Sequence, residues 1–153
     1  MHAKRAAVAG VIGTAAMTAL WLVEPSIGLP KIAIGQLLST AMSVSVAWSS
    51  AGPAAGWIVH LIVGAGLAMI YAATLARWRS GPSSLRGAAY GVIVFIVAQI
   101  AFMPLVGAGF FSNGDIELLA GSLLGHVVYG SVVGWIYELG SAADHRVTGV
   151  APT

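Results

Sequence analysis

The sequence contains no cysteine and very few charged residues. Without thiols there is no disulfide, no iron–sulfur cluster and no thiolate metal site, so histidine is the strongest metal ligand available. Charged residues make up 8% of the chain, against roughly 25% in soluble domains, and 58% of the residues are hydrophobic. The phosphate-binding Gly-x4-Gly-Lys pattern and the His-Glu-x-x-His pattern of zinc enzymes are both absent. The composition therefore indicates a membrane protein, favours a non-catalytic role and excludes nucleic acid as a partner.

Four apolar segments are long enough to cross a bilayer, which takes about 20 helical residues. We number them 1 to 4, and they comprise residues 6–23, 55–76, 87–106 and 117–138. No lysine, arginine or aspartate lies inside them. Residues 1–140 are therefore predicted to form one transmembrane domain, followed by a polar, disordered cytoplasmic tail at 141–153. Residues 31–42, between segments 1 and 2, are predicted to form an interfacial helix.

The basic residues indicate how the segments are oriented. Lys4 and Arg5 precede segment 1, three arginines lie between segments 2 and 3, and Arg146 follows segment 4. The other two connections carry only Lys31. Because positive residues are retained on the cytoplasmic side, both termini are predicted to lie in the cytoplasm. The membrane is expected to be the inner, or plasma, membrane of the cell. Tryptophans near segment ends are predicted to lie among the lipid headgroups; they are Trp21, Trp57, Trp78 and Trp135.

The second half of the chain resembles the first. Segment 1 aligns with segment 3 when Arg5 is placed on Arg86. HLIVGAGLAMIY of segment 2 aligns with HVVYGSVVGWIY of segment 4, which places His60 on His126. Two hairpins of the same orientation are related by an axis along the membrane normal, as parallel repeats are. The sequence therefore predicts an all-α transmembrane four-helix bundle of two tandem repeated helical hairpins, with both histidines at one depth.

Both histidines lie between small residues on one face of a helix. Two imidazoles can ligate a haem iron, and small neighbours would leave room for the flat porphyrin. The working hypothesis is therefore a haem b bound by His60 and His126, in an electron-transfer or accessory subunit of a respiratory membrane complex. Candidate residues around the porphyrin are Gly56, Gly64, Ser122 and Gly130.

Each ligating histidine also needs a partner for its second ring nitrogen. Gln99 of segment 3 and Thr18, its counterpart in segment 1, are predicted to lie about as deep in the membrane as the histidines. Both can form hydrogen bonds with imidazole. We therefore predict that they orient the two histidines.

Three other interpretations remain open. In a structural or assembly protein without a cofactor, the histidines would only join neighbouring helices. In a copper or other metal site they would bind the ion together with Met103 or Met17. A small transporter is the third, although every glutamate falls at the end of a segment and none lies in mid-membrane. The expected partners are the lipid bilayer together with respiratory-complex subunits or a second copy of the chain.

Four short motifs occur together in the chain: AGVIGTAAMT in segment 1, GWIVH at the start of segment 2, PLVGAGF after segment 3 and GHVVYG in segment 4. This combination resembles a family of small four-span prokaryotic integral membrane proteins of unknown function. The resemblance covers most of the chain and implies the same four-helix fold. It implies no activity.

Overall fold

The computed structural model describes residues 3–29, 32, 52–78 and 80–148. Most of them belong to four long α-helices, which are α1 (Ala3–Val23), α2 (Gly52–Ala73), α3 (Ser83–Val97) and α4 (Ile116–Thr148). A 3-10 turn, Glu24–Ile27, extends α1. A π-helical segment, Ala98–Phe102, and one α-helical turn, Met103–Leu105, extend α3.

Each long helix is apolar enough to cross a membrane. The four spans are Ala3–Ile27, Ala54–Ala73, Ser83–Leu105 and Ile116–Ser141. The chain is thus a multi-pass membrane protein with an all-α four-helix bundle, which confirms the predicted fold class. The predicted interfacial helix at 31–42 lies outside the described residues, apart from Ile32.

The last helix is longer than its predicted segment. The sequence predicts a disordered tail after residue 140, whereas α4 continues to Thr148. Gly140 does not end the helix, because one glycine costs only about 1 kcal/mol relative to alanine. The next glycine is Gly149, and no proline intervenes. The backbone therefore meets no strong helix breaker before that position.

The helices pack in the order α2, α1, α4, α3. Helix α1 packs against both α2 and α4, and α4 packs against α3, whereas the described backbones of α2 and α3 do not pack along their length. The α1–α4 contact therefore has no equivalent between α3 and α2. The two hairpins are not packed symmetrically, and the tandem repeat stays a prediction.

Glycines bring the paired helices into close contact. A Cβ atom added at Gly87 or Gly91 of α3 would overlap the α4 backbone at Gly130 or His126. One added at Gly10 of α1 would overlap the backbone of α2. Without a hydrophobic driving force between helices inside lipid, such close packing holds a bundle together.

One end of the bundle carries both ends of the described chain, and we call it the terminal end. There Arg86 of α3 forms an ion pair with Glu138 of α4, with 3.0 Å between nitrogen and oxygen. The Arg5 guanidinium of α1 lies 4.5 Å from the centre of the Tyr137 ring of α4. The opposite end, which we call the far end, carries the turn after α1 and the loop before α4.

Candidate functional site

The gap between α2 and α3 leads into a cavity of about 550 Å³ that all four helices line. Val63 of α2 and Val97 of α3 line it and are 47% and 58% exposed, so its mouth faces the lipid. No lysine, arginine, aspartate or glutamate lies among the described lining residues. Its polar lining comes chiefly from Thr14, His60, Gln99, Ser122, His126 and Tyr129.

Two tyrosines form hydrogen bonds to α2 on the terminal-end side of the bundle, and one of them, Tyr129, lines the cavity. The Tyr129 hydroxyl of α4 donates a hydrogen bond to the Gly64 carbonyl oxygen of α2, at 2.6 Å. The Tyr90 hydroxyl of α3 donates to the Leu67 carbonyl oxygen, also of α2, at 2.7 Å. The second bond links α2 and α3 on the terminal-end side of the cavity. The cavity therefore occupies the far half of the bundle.

Both predicted histidines line this cavity, but they are held differently. His126 Nδ1 lies 2.7 Å from the Ser122 carbonyl oxygen, so Nδ1 carries the hydrogen and a neutral ring leaves Nε2 as an acceptor. His60 Nε2 is buried and has no hydrogen-bond partner in the described part of the chain. Buried polar atoms almost always have partners, so His60 is an unsatisfied group beside an apolar cavity.

The Trp21 indole of α1 packs against both imidazoles. It stacks on His60 with ring centroids 5.7 Å apart, and it meets the His126 ring at 6.3 Å and a steep angle. Its Nε1 donates to the Gly121 carbonyl oxygen at 3.3 Å. The prediction that this tryptophan lies among the headgroups is wrong, because it is only 4% exposed, whereas Trp78 is 71% exposed. Spacing near a segment end does not reveal which side chains turn inward.

Gln99 lines the cavity as well, but it contacts serines and not histidines. Its Nε2 donates to Ser122 Oγ at 3.2 Å, and its Oε1 accepts from Ser112 Oγ at 3.0 Å. Gln99 therefore reaches His126 only indirectly, through Ser122. Thr18, the other predicted partner, is half-buried and does not line the cavity.

The four small residues predicted around a porphyrin have different surroundings. Gly64 and Ser122 line the cavity, whereas Gly56 is buried outside it. Gly130 lies against Gly87 of α3 in a helix contact. Only half of the predicted set is therefore at the cavity.

The cavity offers sulfur but no cluster of other metal ligands. Met17 and Met103, the predicted thioether ligands, both line it. Within the described ranges, no group of three or more His, Asp or Glu side chains could hold a metal ion. A copper site would therefore depend on the two histidines and these methionines.

Ser112 reaches Gln99 from a strained loop. Phe111, Ser112 and Asn113 have φ values of 45, 50 and 55°, a left-handed conformation that costs non-glycine residues energy. Ser112 is nevertheless buried, with its hydroxyl on Gln99. The loop before α4 thus supplies one partner of a polar group in the cavity wall, a role that no local sequence pattern indicates.

Glu24 is a second residue near a segment end whose side chain is buried. It begins the turn after α1, as its place at the end of segment 1 predicts, and its fully buried carboxyl lies against Gly121 of α4. The spacing of residues on α1 could have indicated that Glu24 faces inward. Intervals of four and three place it on one helix face with four other residues, Gly10, Thr14, Met17 and Trp21. Except for Glu24 and Gly10, the residues of that face line the cavity.

Comparison with known proteins identifies a family but no activity. Residues 1–147 match the sequence model of a family of unknown function, DUF6789. No curated protein and no solved structure matches the chain. The function is therefore inferred from the cavity.

Proposed function

We propose that this chain, which belongs to the family of unknown function DUF6789, binds a neutral, ring-bearing membrane lipid of the isoprenoid quinone class. The observation that carries this proposal is the cavity between α2 and α3, which is open toward lipid and contains an unpartnered imidazole nitrogen. The protein would act as a membrane-embedded binding protein.

The size and opening of the cavity support a ligand that arrives through the bilayer. Its volume of about 550 Å³ falls in the usual range for small-molecule sites, roughly 300–1,000 Å³. The exposed rim valines are apolar, so a hydrophobic tail could extend from the mouth into the lipid without losing hydrocarbon contact.

The polarity of the wall supports a neutral head group. With no charged side chain among the described lining residues, an ionised ligand would be desolvated without compensation. His60 Nε2 needs one hydrogen-bond partner, which a ring carbonyl or hydroxyl supplies. The Trp21 indole and the Tyr129 ring add aromatic surface for a flat head group.

Binding can be measured by quenching of tryptophan fluorescence with a short-chain quinone, in a Trp78→Phe background that removes an exposed indole. We expect saturable quenching of the purified protein. His60→Leu should weaken binding about fivefold, since one buried hydrogen bond is worth about 1 kcal/mol. Val8→Leu, an exposed substitution on α1, is the matched control. Quenching that does not saturate, or that His60→Leu leaves unchanged, would contradict the proposal.

A haem b held by His60 and His126 is the second candidate, in an electron-transfer or accessory subunit of a respiratory membrane complex. One observation favours it: both imidazoles line one cavity, and the Ser122 carbonyl oxygen orients His126 as axial ligands require. Two observations oppose it. The Trp21 indole packs against both rings, and the described wall offers no cation for the propionates.

The visible spectrum separates the two candidates. Protein purified from haem-replete cells should be colourless if the ligand is a quinone-class lipid. A Soret band that disappears in both His60→Ala and His126→Ala would establish the haem instead. Stoichiometric copper without that band would favour the metal-binding alternative with Met17 or Met103.

A further inference from the structure

A second unsatisfied polar group lies outside the cavity, at the far end of the bundle. The Glu24 side chain is 0% exposed, and neither carboxyl oxygen has a hydrogen-bond partner in the described structure. Gly121 of α4 makes the room for it, because a methyl group there would lie 2.8 Å from Glu24 Oε2. Trp21, one turn earlier on α1, bonds to the same Gly121. The carboxyl is therefore buried, with Gly121 of α4 beside it.

No described cation neutralises this carboxyl. Arg5 lies near Tyr137 and Arg86 pairs with Glu138, both at the terminal end. Glu24 follows Arg5 by 19 positions, so a helical rise of 1.5 Å per residue separates them by about 28 Å. A buried carboxylate without a counter-charge or hydrogen-bond donors is very costly, so the closed bundle favours the neutral acid.

The other acidic groups at the far end have different surroundings. Asp115 and Glu117 are both exposed, and the Asp115 carboxylate accepts a hydrogen bond from the Leu118 backbone N–H at 3.0 Å. Glu24 alone of the three is buried. It does not line the cavity, and no cluster of metal ligands occurs among the described residues, so a proton suits the position better than a metal ion.

We propose that Glu24 is a proton-binding site of this membrane protein. While Glu24 is in contact with Gly121, its carboxyl is the neutral acid. When that contact opens, the proton exchanges with the solvent at the far end of the bundle. The proposal does not require any particular ligand in the cavity. It also supplies the buried acid that a proton-coupled membrane protein requires.

Two measurements on the full chain in neutral phospholipid vesicles test this site. The infrared band of a protonated carboxylic acid should be present in the wild type and lost in Glu24→Gln. The hydrophobic reagent dicyclohexylcarbodiimide, which adds to protonated carboxyls inside membranes, should leave one adduct on Glu24 by peptide mass spectrometry. Glu117→Gln, which changes an exposed acid at the same end, should retain both the band and the adduct.

A water-soluble carbodiimide with an amine nucleophile provides the opposite pattern. On the protein solubilised in detergent, where both ends of the bundle are accessible, it should modify Glu117 and Glu138 and leave Glu24 unmodified. Because glutamine resembles the neutral acid in size and charge, Glu24→Gln should keep the thermal unfolding midpoint of the wild type. An infrared spectrum unchanged in Glu24→Gln, equal modification of Glu24 and Glu117 by the soluble reagent, or folded protein without the Glu24 adduct would overturn the proposal. None of these outcomes depends on quinone binding.

Discussion

Single residues determine how closely the helices approach and which groups face the cavity. The glycines of α3 and α4 allow backbone contact, whereas Trp21 and Glu24 occupy the space where α1 meets α4. The same residue type has opposite roles in different places. A Cβ atom at Gly66 of α2 would meet no atom within 4 Å, whereas one at Gly91 would overlap the His126 backbone.

The first prediction compares these two glycines. Gly91→Ala should destabilise the bundle by about 1–3 kcal/mol, because the methyl group cannot fit without moving a backbone. Gly66→Ala should be neutral or stabilising by up to about 1 kcal/mol, since alanine is the better helix former. Thermal unfolding in detergent measures both. Equal effects of the two substitutions would mean that α3 and α4 are not in close contact at this point.

At the scale of the element, the end of the third span is shaped by a proline and a strained loop. Pro104 has no N–H to donate, and in a regular α-helix its ring would clash with the carbonyl four residues earlier, at Ile100. Ile100 lies instead in the π-helical Ala98–Phe102. Gln99 lies in this π-helical segment with its side chain fully buried. Ser112, from the loop that follows, then satisfies Gln99 Oε1.

This loop makes a distinctive prediction for Ser112. Ser112→Ala should cost about 1–3 kcal/mol, because it leaves Gln99 Oε1 buried without that donor. Ser112→Gly loses the same bond but should cost about 1 kcal/mol less, since glycine adopts a φ of 50° without strain. Ser80→Ala, an exposed change at the other end of α3, is the control. If Ser112→Gly is the less stable of the two, the left-handed conformation of the loop is incorrect.

At the scale of the whole molecule, the described helices leave the bundle open between α2 and α3, and both ends of the described chain lie together. The contacts of Arg5 with Tyr137 and Arg86 with Glu138 place basic residues of two spans, α1 and α3, at the terminal end. The positive-inside rule then predicts that this end faces the cytoplasm and the cavity lies in the outer half of the membrane.

Reporter fusions test this orientation. Alkaline phosphatase, which is active only outside the cytoplasm, should be inactive when fused after Thr153 and active when inserted at Ser50. A green fluorescent protein after Thr153 should be bright. The reverse pattern would invert the predicted topology and place Glu24 on the cytoplasmic side.

The sequence alone was sufficient for the features that depend on local composition. A bilayer requires about 20 apolar residues in each helix, so the four spans follow from hydrophobicity. An even number of spans returns both ends to one side, and the two histidines singled out from the sequence, His60 and His126, line one cavity. These predictions required no knowledge of which helices touch.

Tertiary packing was needed for the features that join distant parts of the chain. The separation of α2 from α3, the Trp21 indole against both imidazoles and the enclosure of Glu24 by Gly121 depend on how side chains more than 30 residues apart fit together. Hydropathy does not show whether a residue near the end of a segment faces the lipid headgroups or a neighbouring helix, because the same residue types occur in both places. Close packing between neighbouring helices therefore decided that Glu24 is buried and that the cavity opens between α2 and α3.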